Sequence, residues 1–165
     1  MQTRPRRRSQ RGAELLEASL VIVPLFGLTF LALDLSMVIF LRSTFQQAVR
    51  EGVRYAITGQ NTTGPCQDDS IKAVVQQYAL GFLKSTVSGQ YTGPAATIHV
   101  HWINPVTGNV ANNAAGNIID VSVEDYVYGP LAPYQRLNMP AQLWARAYDV
   151  MQVVPGGLPC ITKLE

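Results

Sequence analysis

The longest hydrophobic stretch of the chain runs from Ala18 to Leu41 and is interrupted by a single charged residue, Asp34. A helical run of about 20 mainly apolar residues is long enough to cross a hydrocarbon core of about 30 Å. Pro24 and Gly27 do not oppose this, because membrane helices contain both residues more often than soluble helices do. The pattern therefore predicts a single membrane-spanning helix close to the N-terminus.

Helical spacing of apolar residues continues beyond Leu41, while charged residues fill the positions between them. The apolar positions are Phe45, Ala48, Val49, Gly52, Val53, Ala56 and Ile57. We therefore predict one continuous helix from Ala13 to about Ile57, whose second part leaves the bilayer and stays amphipathic. Such a helix would be roughly 65 Å long, about twice the hydrocarbon thickness.

A second, shorter helix is predicted after a turn-rich loop from Thr58 to Asp69, with Asp68 or Asp69 as its N-cap. Its apolar positions are expected to form a core-facing stripe, made of Ile71, Val74, Val75, Tyr78, Ala79, Phe82 and Leu83. Another loop is predicted from Ser85 to Ala96.

The last part of the chain alternates between apolar and polar residues in three segments, which predicts three strands. The expected inward-facing residues are Ile98, Val100 and Trp102, then Ile119, Val121, Val123 and Val127, then Leu143, Ala145 and Ala147. A helix remains an alternative for the third segment, because Ala and Leu favour helices. The predicted fold class is α+β, with a long N-terminal transmembrane and stalk helix, one further helix and an antiparallel sheet of about three strands.

The charged residues before the apolar run predict its orientation. Five arginines lie there: Arg4, Arg6, Arg7, Arg8 and Arg11. Such a cluster keeps the N-terminus in the cytoplasm and sends the rest of the chain across the membrane. The net charge of +2 reflects this leader, and no basic face with interleaved aromatic residues follows it, so nucleic acid is not an expected partner.

An acidic residue, Glu17, stands at the edge of the apolar run, five residues after Gly12. A lone carboxylate within lipid costs about 2 to 3 kcal/mol on insertion scales, so its position requires an explanation. One explanation is that Glu17 lies at the depth of the lipid headgroups and is solvated there.

Another explanation comes from a family resemblance. A basic leader, a glycine, an acid at the fifth following position and an apolar helix together resemble the type IV prepilin cleavage signal. The form found here, RGAELLEASLVIVPL continuing to VREGVRYA, is similar to the TadE-like family, the minor pseudopilins of tight-adherence (Flp-type) pilus systems. The resemblance extends from Arg11 to about Ala56, and beyond Ile57 it concerns only the general layout of a small pilin-like head.

The resemblance implies a processing site and a set of partners. A prepilin peptidase would cut between Gly12 and Ala13, and Glu17 would aid assembly by neutralising the new amine of a neighbouring subunit. The chain would then comprise a leader (1–12), a membrane and stalk helix (13–57) and a periplasmic head (58–165). Expected partners are the peptidase, other pilin or pseudopilin subunits, the inner-membrane assembly platform and lipid. The expected function is to initiate or support a tight-adherence pilus or a related secretion apparatus.

A different class of function stays open, in which the chain is an uncleaved single-span membrane protein whose periplasmic domain binds a partner or ligand. An ordinary secretory signal is not favoured, because the apolar segment is too long and its end, DLSMVIFLR, lacks a pair of small residues at cleavage spacing.

Asp34 has two readings. It lies seventeen residues after Glu17, nearly five helical turns, and so on much the same face. It could pair with a cation or polar group on another membrane helix, as intramembrane acids tend to do. Alternatively, the true span is Leu15–Leu33 and Asp34 already lies near the outer interface.

The chain contains two cysteines, Cys66 and Cys160, and both follow the membrane segment. An even number of cysteines in an exported domain favours a disulfide between them, although two unpaired thiols are the alternative. Closing a loop of this length would contribute about 3 to 5 kcal/mol in the chain-entropy model.

Nothing in the sequence predicts catalysis. His99 and His101 have a spacing that metal sites use, but no third ligand is evident and such a pair is usually surface. The chain has no CxxC, GxSxG or glycine-rich phosphate loop. We therefore expect no enzymatic activity, no metal site and no cofactor.

Overall fold

A computed structural model describes residues 10–60, 66–83, 97–129 and 141–152. These residues form two helices and three strands: α1 (Gln10–Ile57), α2 (Gln67–Tyr78), β1 (Thr97–Ile103), β2 (Ile118–Tyr128) and β3 (Ala141–Val150). The strands form one antiparallel sheet in the order β1-β2-β3. The predicted α+β fold is confirmed, and the third alternating segment is a strand rather than a helix.

Helix α1 is continuous over 48 residues and passes through Pro24 without a break. It ends at Ile57, as predicted, where Gly59 adopts a positive φ and its N–H donates to the carbonyl of Ala56 at 2.9 Å. Its start was predicted three residues too late, because Gln10–Gly12 already belong to the helix. The rest of the expected leader, residues 1–9, lies outside the described residues.

The chain forms two compact units, and the division falls inside α1, between Met37 and Val38. In the first unit, the described part is the start of α1, residues 10–37, and we define residues 12–37 as the apolar half of α1. Its large hydrophobic side chains are exposed on every side of the helix, including Leu15, Leu16, Leu20, Val21, Val23, Leu25, Phe26, Leu28 and Leu33. No other described element of this chain covers that surface.

In the second unit, which we call the head, the remaining part of α1 forms one wall of the hydrophobic core. Its buried residues recur every three or four positions: Leu41, Phe45, Ala48, Val49, Val53 and Ala56. Helix α2, the sheet and the residues that directly follow α2 and β3 supply the rest of the core: Ile71, Val75, Ala79, Leu83, Ile98, Val100, Trp102, Ile119, Val121, Val123, Leu143, Ala145 and Met151. The amphipathic pattern read from the sequence therefore marks the core face of α1 correctly.

A β-bulge in the central strand changes which side chains face the core. Val123 pairs with Ala145, but the next pair is Tyr126 with Leu143, so β2 contains one extra residue. Asp125, inside the bulge, has a φ of 60°. The bulge reverses the alternation that follows it, so that Tyr126, rather than the predicted Val127, packs inward.

The ring of Tyr126 meets that of Phe45 on α1 edge-on, with 4.8 Å between the centroids. Burial beside this ring raises the pKa of the Tyr126 hydroxyl above its ordinary value. The extra residue of β2 therefore places an aromatic contact between the sheet and α1.

Two predictions about α2 were wrong. Its N-cap is Cys66 rather than Asp68 or Asp69, and Asp68 instead accepts a hydrogen bond from the indole Nε1 of Trp102 at 3.3 Å. The predicted apolar stripe is only partly buried, because Tyr78 and Phe82 remain exposed. The helix ends at Tyr78, so the helical spacing on which the prediction depended no longer applies beyond it.

Helix α2 packs closely against α1 at Gly52. A Cβ atom added to Gly52 would lie 2.5 Å from Cγ2 of Val75 and 3.6 Å from Cγ2 of Ile71. Val75 is fully buried, and its β-branched side chain has few rotamers to which it could move. Glycine at this position thus sets the separation of the two helices.

We therefore expect Gly52→Ala to destabilise the head. Overpacking costs about 1 to 3 kcal/mol and is offset by a gain of about 1 kcal/mol in helix propensity, leaving a net loss of up to about 2 kcal/mol. Thermal unfolding of Gly52→Ala, Val75→Ala and the double variant measures this loss. The double variant should be less destabilised than the two single changes added together, and strict additivity would contradict the close contact.

Candidate functional site: the N-terminal part of α1

The predicted cleavage site lies in the first turns of α1. Gly12 and Ala13 are both exposed, and apart from its chain neighbours and the helix's own backbone no atom lies within 4 Å of the position that a Cβ of Gly12 would occupy. The helix begins only two residues earlier, at Gln10. Because the first amides of a helix have no intrahelical carbonyl partners, unwinding this end to fit an extended peptidase cleft would break few hydrogen bonds.

Glu17 lies four residues after Ala13, so the two residues share one face of the helix. Its side chain is exposed, as is that of Glu14 on the preceding turn. Within the described part of the chain, neither acid has a hydrogen bond or an ion pair. The structure therefore leaves Glu17 accessible to a group outside this chain, at the border of a largely apolar surface.

The hydroxyl groups of the apolar half are satisfied within the helix itself. Ser19 donates to the carbonyl of Leu16 at 2.8 Å, and Thr29 donates to that of Leu25 at 2.9 Å. Ser36 makes the same kind of bond to the carbonyl of Ala32 at 2.7 Å. Since an unpaired hydroxyl is costly in hydrocarbon, these bonds allow the side chains to face lipid.

Among the described residues, one helix is long and apolar enough to cross a membrane, between Gly12 and Ile57. Only 6% of its most apolar window is buried within the chain. A core helix of a globular domain would be mostly buried, so this surface is not part of an ordinary protein interior. The long apolar helix fits a single-pass membrane protein.

The second acid of this segment, Asp34, has different surroundings. Its side chain is only 7% exposed, so it is covered within this chain, and it is not left unpaired. Glu17 and Asp34 thus differ sharply in accessibility, although sequence spacing puts them on a similar face. The hypothesis that Asp34 meets a second membrane helix stays a prediction.

Cys66 is disulfide-bonded. The predicted partner, Cys160, lies outside the described residues, so this pairing stays a prediction. Beside Cys66, the fully buried Gln67 donates to the carbonyl of Ala56 at 2.9 Å and accepts a hydrogen bond from Nδ2 of Asn113 at 2.8 Å. The start of α2 is therefore joined to the end of α1 and to the connection between β1 and β2.

This amide network could not be foreseen from the sequence. Gln67 and Asn113 are 46 residues apart and lie in segments that read as polar loops. Their burial depends on the tertiary arrangement of three elements, which leaves no local pattern in the chain.

The outer face of the sheet holds an ion pair between a buried carboxylate and an exposed arginine. Asp120 is 3% exposed and accepts hydrogen bonds from Nε of Arg146 at 2.8 and 2.9 Å, with a further bond from Nη2. The hydrogen bond and the charge of Asp120 raise the pKa of the Arg146 guanidinium above its ordinary value. Sequence alternation had put both residues on the outward face but did not indicate that they would pair.

His99 and His101 lie on the same outer face, as predicted, and their rings stack with 5.8 Å between centroids. In the described ranges, no group of three or more His, Cys, Asp or Glu side chains is arranged to hold a metal ion. The outer face thus carries an ion pair and a pair of stacked imidazole rings.

Comparison with known families supports the interpretation of α1. The family model described as TadE-like protein matches residues 12–54, which confirms the resemblance seen in the sequence. The match begins at the predicted scissile glycine and ends near the C-terminus of α1. That family is one of structural proteins associated with the tight-adherence pilus, and the match covers residues 12–54 of this chain. No curated protein and no solved structure gives a match to this chain.

The disulfide gives a testable prediction. If Cys66 pairs with Cys160 in the same chain, Cys66→Ser and Cys160→Ser should each abolish the change in gel mobility that reduction causes. Each variant should also lose stability, by up to about 3 to 5 kcal/mol. A disulfide-linked heterodimer that persists in Cys160→Ser would contradict the pairing, because Cys66 would then bond to another protein.

Proposed function

We propose that this chain is a minor pilin or pseudopilin, cut by a prepilin peptidase between Gly12 and Ala13 and assembled through α1 to initiate or support a tight-adherence pilus or a related secretion apparatus. The observation that carries the proposal is the TadE-like match over residues 12–54. That match falls on a helix whose N-terminal half is apolar and exposed on every side.

In the proposed mechanism, cleavage first removes a positive anchor. Met1–Gly12 contains five arginines and no acid, and its loss leaves eight basic and eleven acidic residues. Arginines held at the cytoplasmic surface oppose extraction of the helix from the membrane. Cleavage would therefore convert a firmly anchored precursor into a subunit that can move into an assembly.

Cleavage also creates a new charge. The amine of Ala13 becomes a cation at the membrane face, and Glu17 of a neighbouring subunit can neutralise it. In a medium of low dielectric constant, each unpaired charge costs several kcal/mol, so one axial register between helices is strongly favoured. Support for this role comes from the exposure of Glu17, which has no partner among the described residues of its own chain.

The proposed location is the bacterial inner membrane, with a single pass, a cytoplasmic N-terminus and a periplasmic head. The five arginines before the apolar run support this orientation. A disulfide-bonded Cys66 is also in keeping with an oxidising compartment on the far side of the membrane. Proposed partners are the peptidase, pilin-type subunits, the assembly platform and membrane lipid.

Processing gives the first prediction. The mature protein extracted from membranes should begin at Ala13 by intact mass and N-terminal sequencing. Gly12→Val should retain the leader, because a side chain at this position hinders a peptidase that accepts glycine, whereas Gly27→Ala should be processed normally. A parent protein that keeps Met1 would instead support an uncleaved, tethered periplasmic domain.

Assembly gives the second prediction, with a matched control in the same helix. Glu17→Gln should insert into the membrane as well as the parent or better, because it removes a charge, yet it should no longer be isolated together with pilus subunits. Glu14→Gln removes the same charge one turn earlier and should still assemble. Normal assembly of Glu17→Gln, or an equal defect in both variants, would contradict the charge-pairing mechanism.

A further inference from the structure

Helix α2 runs antiparallel to the second half of α1 within the head. At its start, Gln67 bonds to the carbonyl of Ala56, near the end of α1. After its end, the ring of Phe82 meets that of Phe40 edge-on, with 6.5 Å between centroids. Because the apolar run of α1 ends at Leu41, the turn that follows α2 lies level with the last residues of that run.

Several large hydrophobic side chains are exposed at this end of the head. We call them the apolar collar; they are Ile39, Phe40, Tyr78, Leu80 and Phe82. The sequence had suggested that Tyr78 and Phe82 would be core. Their exposure therefore leaves aromatic surface where a simple globular head would have buried it.

Leu80 is the most informative member of the collar. It adopts a φ of 54°, in the left-handed region, although glycine is the usual residue at this place after a helix. Its side chain is nevertheless 66% exposed. The position thus combines an unfavourable backbone conformation with an exposed leucine, and the fold of the head accounts for neither.

The turn that carries Leu80 is well defined by hydrogen bonds. The N–H of Ala79 donates to the carbonyl of Val75 at 2.9 Å, and the N–H of Phe82 donates to the carbonyl of Ala79 at 3.0 Å. Gly81, also at positive φ, completes the reversal. The turn therefore presents Leu80 outward in a fixed way.

We propose that the apolar collar is a second membrane contact, in which Leu80 and Phe82 enter the boundary between headgroups and acyl chains of the outer leaflet. This inference rests on the proposed function to the extent that the apolar half of α1 lies in lipid. The ring contact of Phe82 with Phe40 supports this proposal, because Phe40 belongs to the apolar run of α1 that is proposed to enter the membrane.

The chemistry of the neighbouring residues selects lipid as the occupant. Arg42 is exposed two residues after Phe40, and its guanidinium can reach the lipid phosphates while its stem stays on apolar surface. Tyr78 combines an apolar ring with a polar hydroxyl, a combination enriched at membrane interfaces. Apolar side chains flanked by a cation and a tyrosine are typical of surfaces that lie in the interface.

The test uses fluorescence of the full chain in vesicles of phosphatidylethanolamine and phosphatidylglycerol. In a Trp144→Phe background, Leu80→Trp places a reporter on the collar, while the buried Trp102 gives a constant signal. Val106→Trp is the matched control, because Val106 is equally apolar and 90% exposed in the loop beyond β1. Phe26→Trp, in the apolar half of α1, reports the membrane span itself.

The proposal expects the Leu80→Trp signal to be largely quenched by lipid spin-labelled near the headgroup and protected from soluble acrylamide. Val106→Trp should show the reverse. If Phe26→Trp is quenched by lipid and Leu80→Trp is not, the membrane span stands and the collar contact is overturned. If neither is quenched, the membrane part of the proposed function fails and this inference fails with it.

Two further outcomes would overturn the lipid assignment. Shielding of Leu80→Trp from both quenchers, increasing with protein concentration, would mean that a second copy covers the collar. A lower midpoint of thermal unfolding for Leu80→Gly in detergent would mean that Leu80 serves the fold of the head. The proposal expects that midpoint to stay the same or to rise, because glycine tolerates the left-handed conformation.

Discussion

Helix α1 is continuous, but the pattern of exposed and buried side chains along it changes between Leu33 and Leu41. Before this interval its apolar residues are exposed on all sides, and after it they are buried on one face only. A helix whose apolar residues are buried on one face is stable in water. A helix that exposes so large an apolar surface on all sides instead associates with other apolar surfaces or inserts into a membrane. The membrane part of the proposal follows from this one asymmetry, and the head is built around the other half of the same helix.

The head depends on close approach to that helix. Gly52 lets α2 pack against α1, and the bulge in β2 brings Tyr126 onto Phe45. The carbonyl of Ala56 accepts hydrogen bonds from both Gly59 and Gln67. Residues that follow α1 in the chain therefore supply hydrogen-bond donors to a carbonyl at its C-terminal end. The chain thus exposes the apolar half of α1, through which assembly is proposed, and uses the other half of α1 as part of the core of a folded domain.

The sequence predicted those features that depend on local periodicity. The end of α1 at Ile57, its core face and the three strands all follow from spacings of 3.6 and 2 residues. The same reasoning failed at Val127, because one extra residue in β2 reverses the alternation, and at Phe82, because α2 ends at Tyr78. It could not find the Asp120–Arg146 pair, whose partners meet only through the register of β2 and β3. The candidate site was predicted from the order of glycine, acid and apolar helix, which is a linear signal, and its proposed partner belongs to another subunit.

The central claim is that Glu17 of one subunit meets the amine of Ala13 on the next. Treatment of intact membranes with a carbodiimide converts such a contact into an amide without adding a spacer, and mass spectrometry can identify the linked peptides. The account predicts a crosslink that joins an Ala13 amine to the Glu17 carboxylate of a neighbouring pilin-type subunit and that is absent from Glu17→Gln. An assembled, processed protein in which Glu17 forms no such link, or links only to groups remote from any N-terminus, would contradict it.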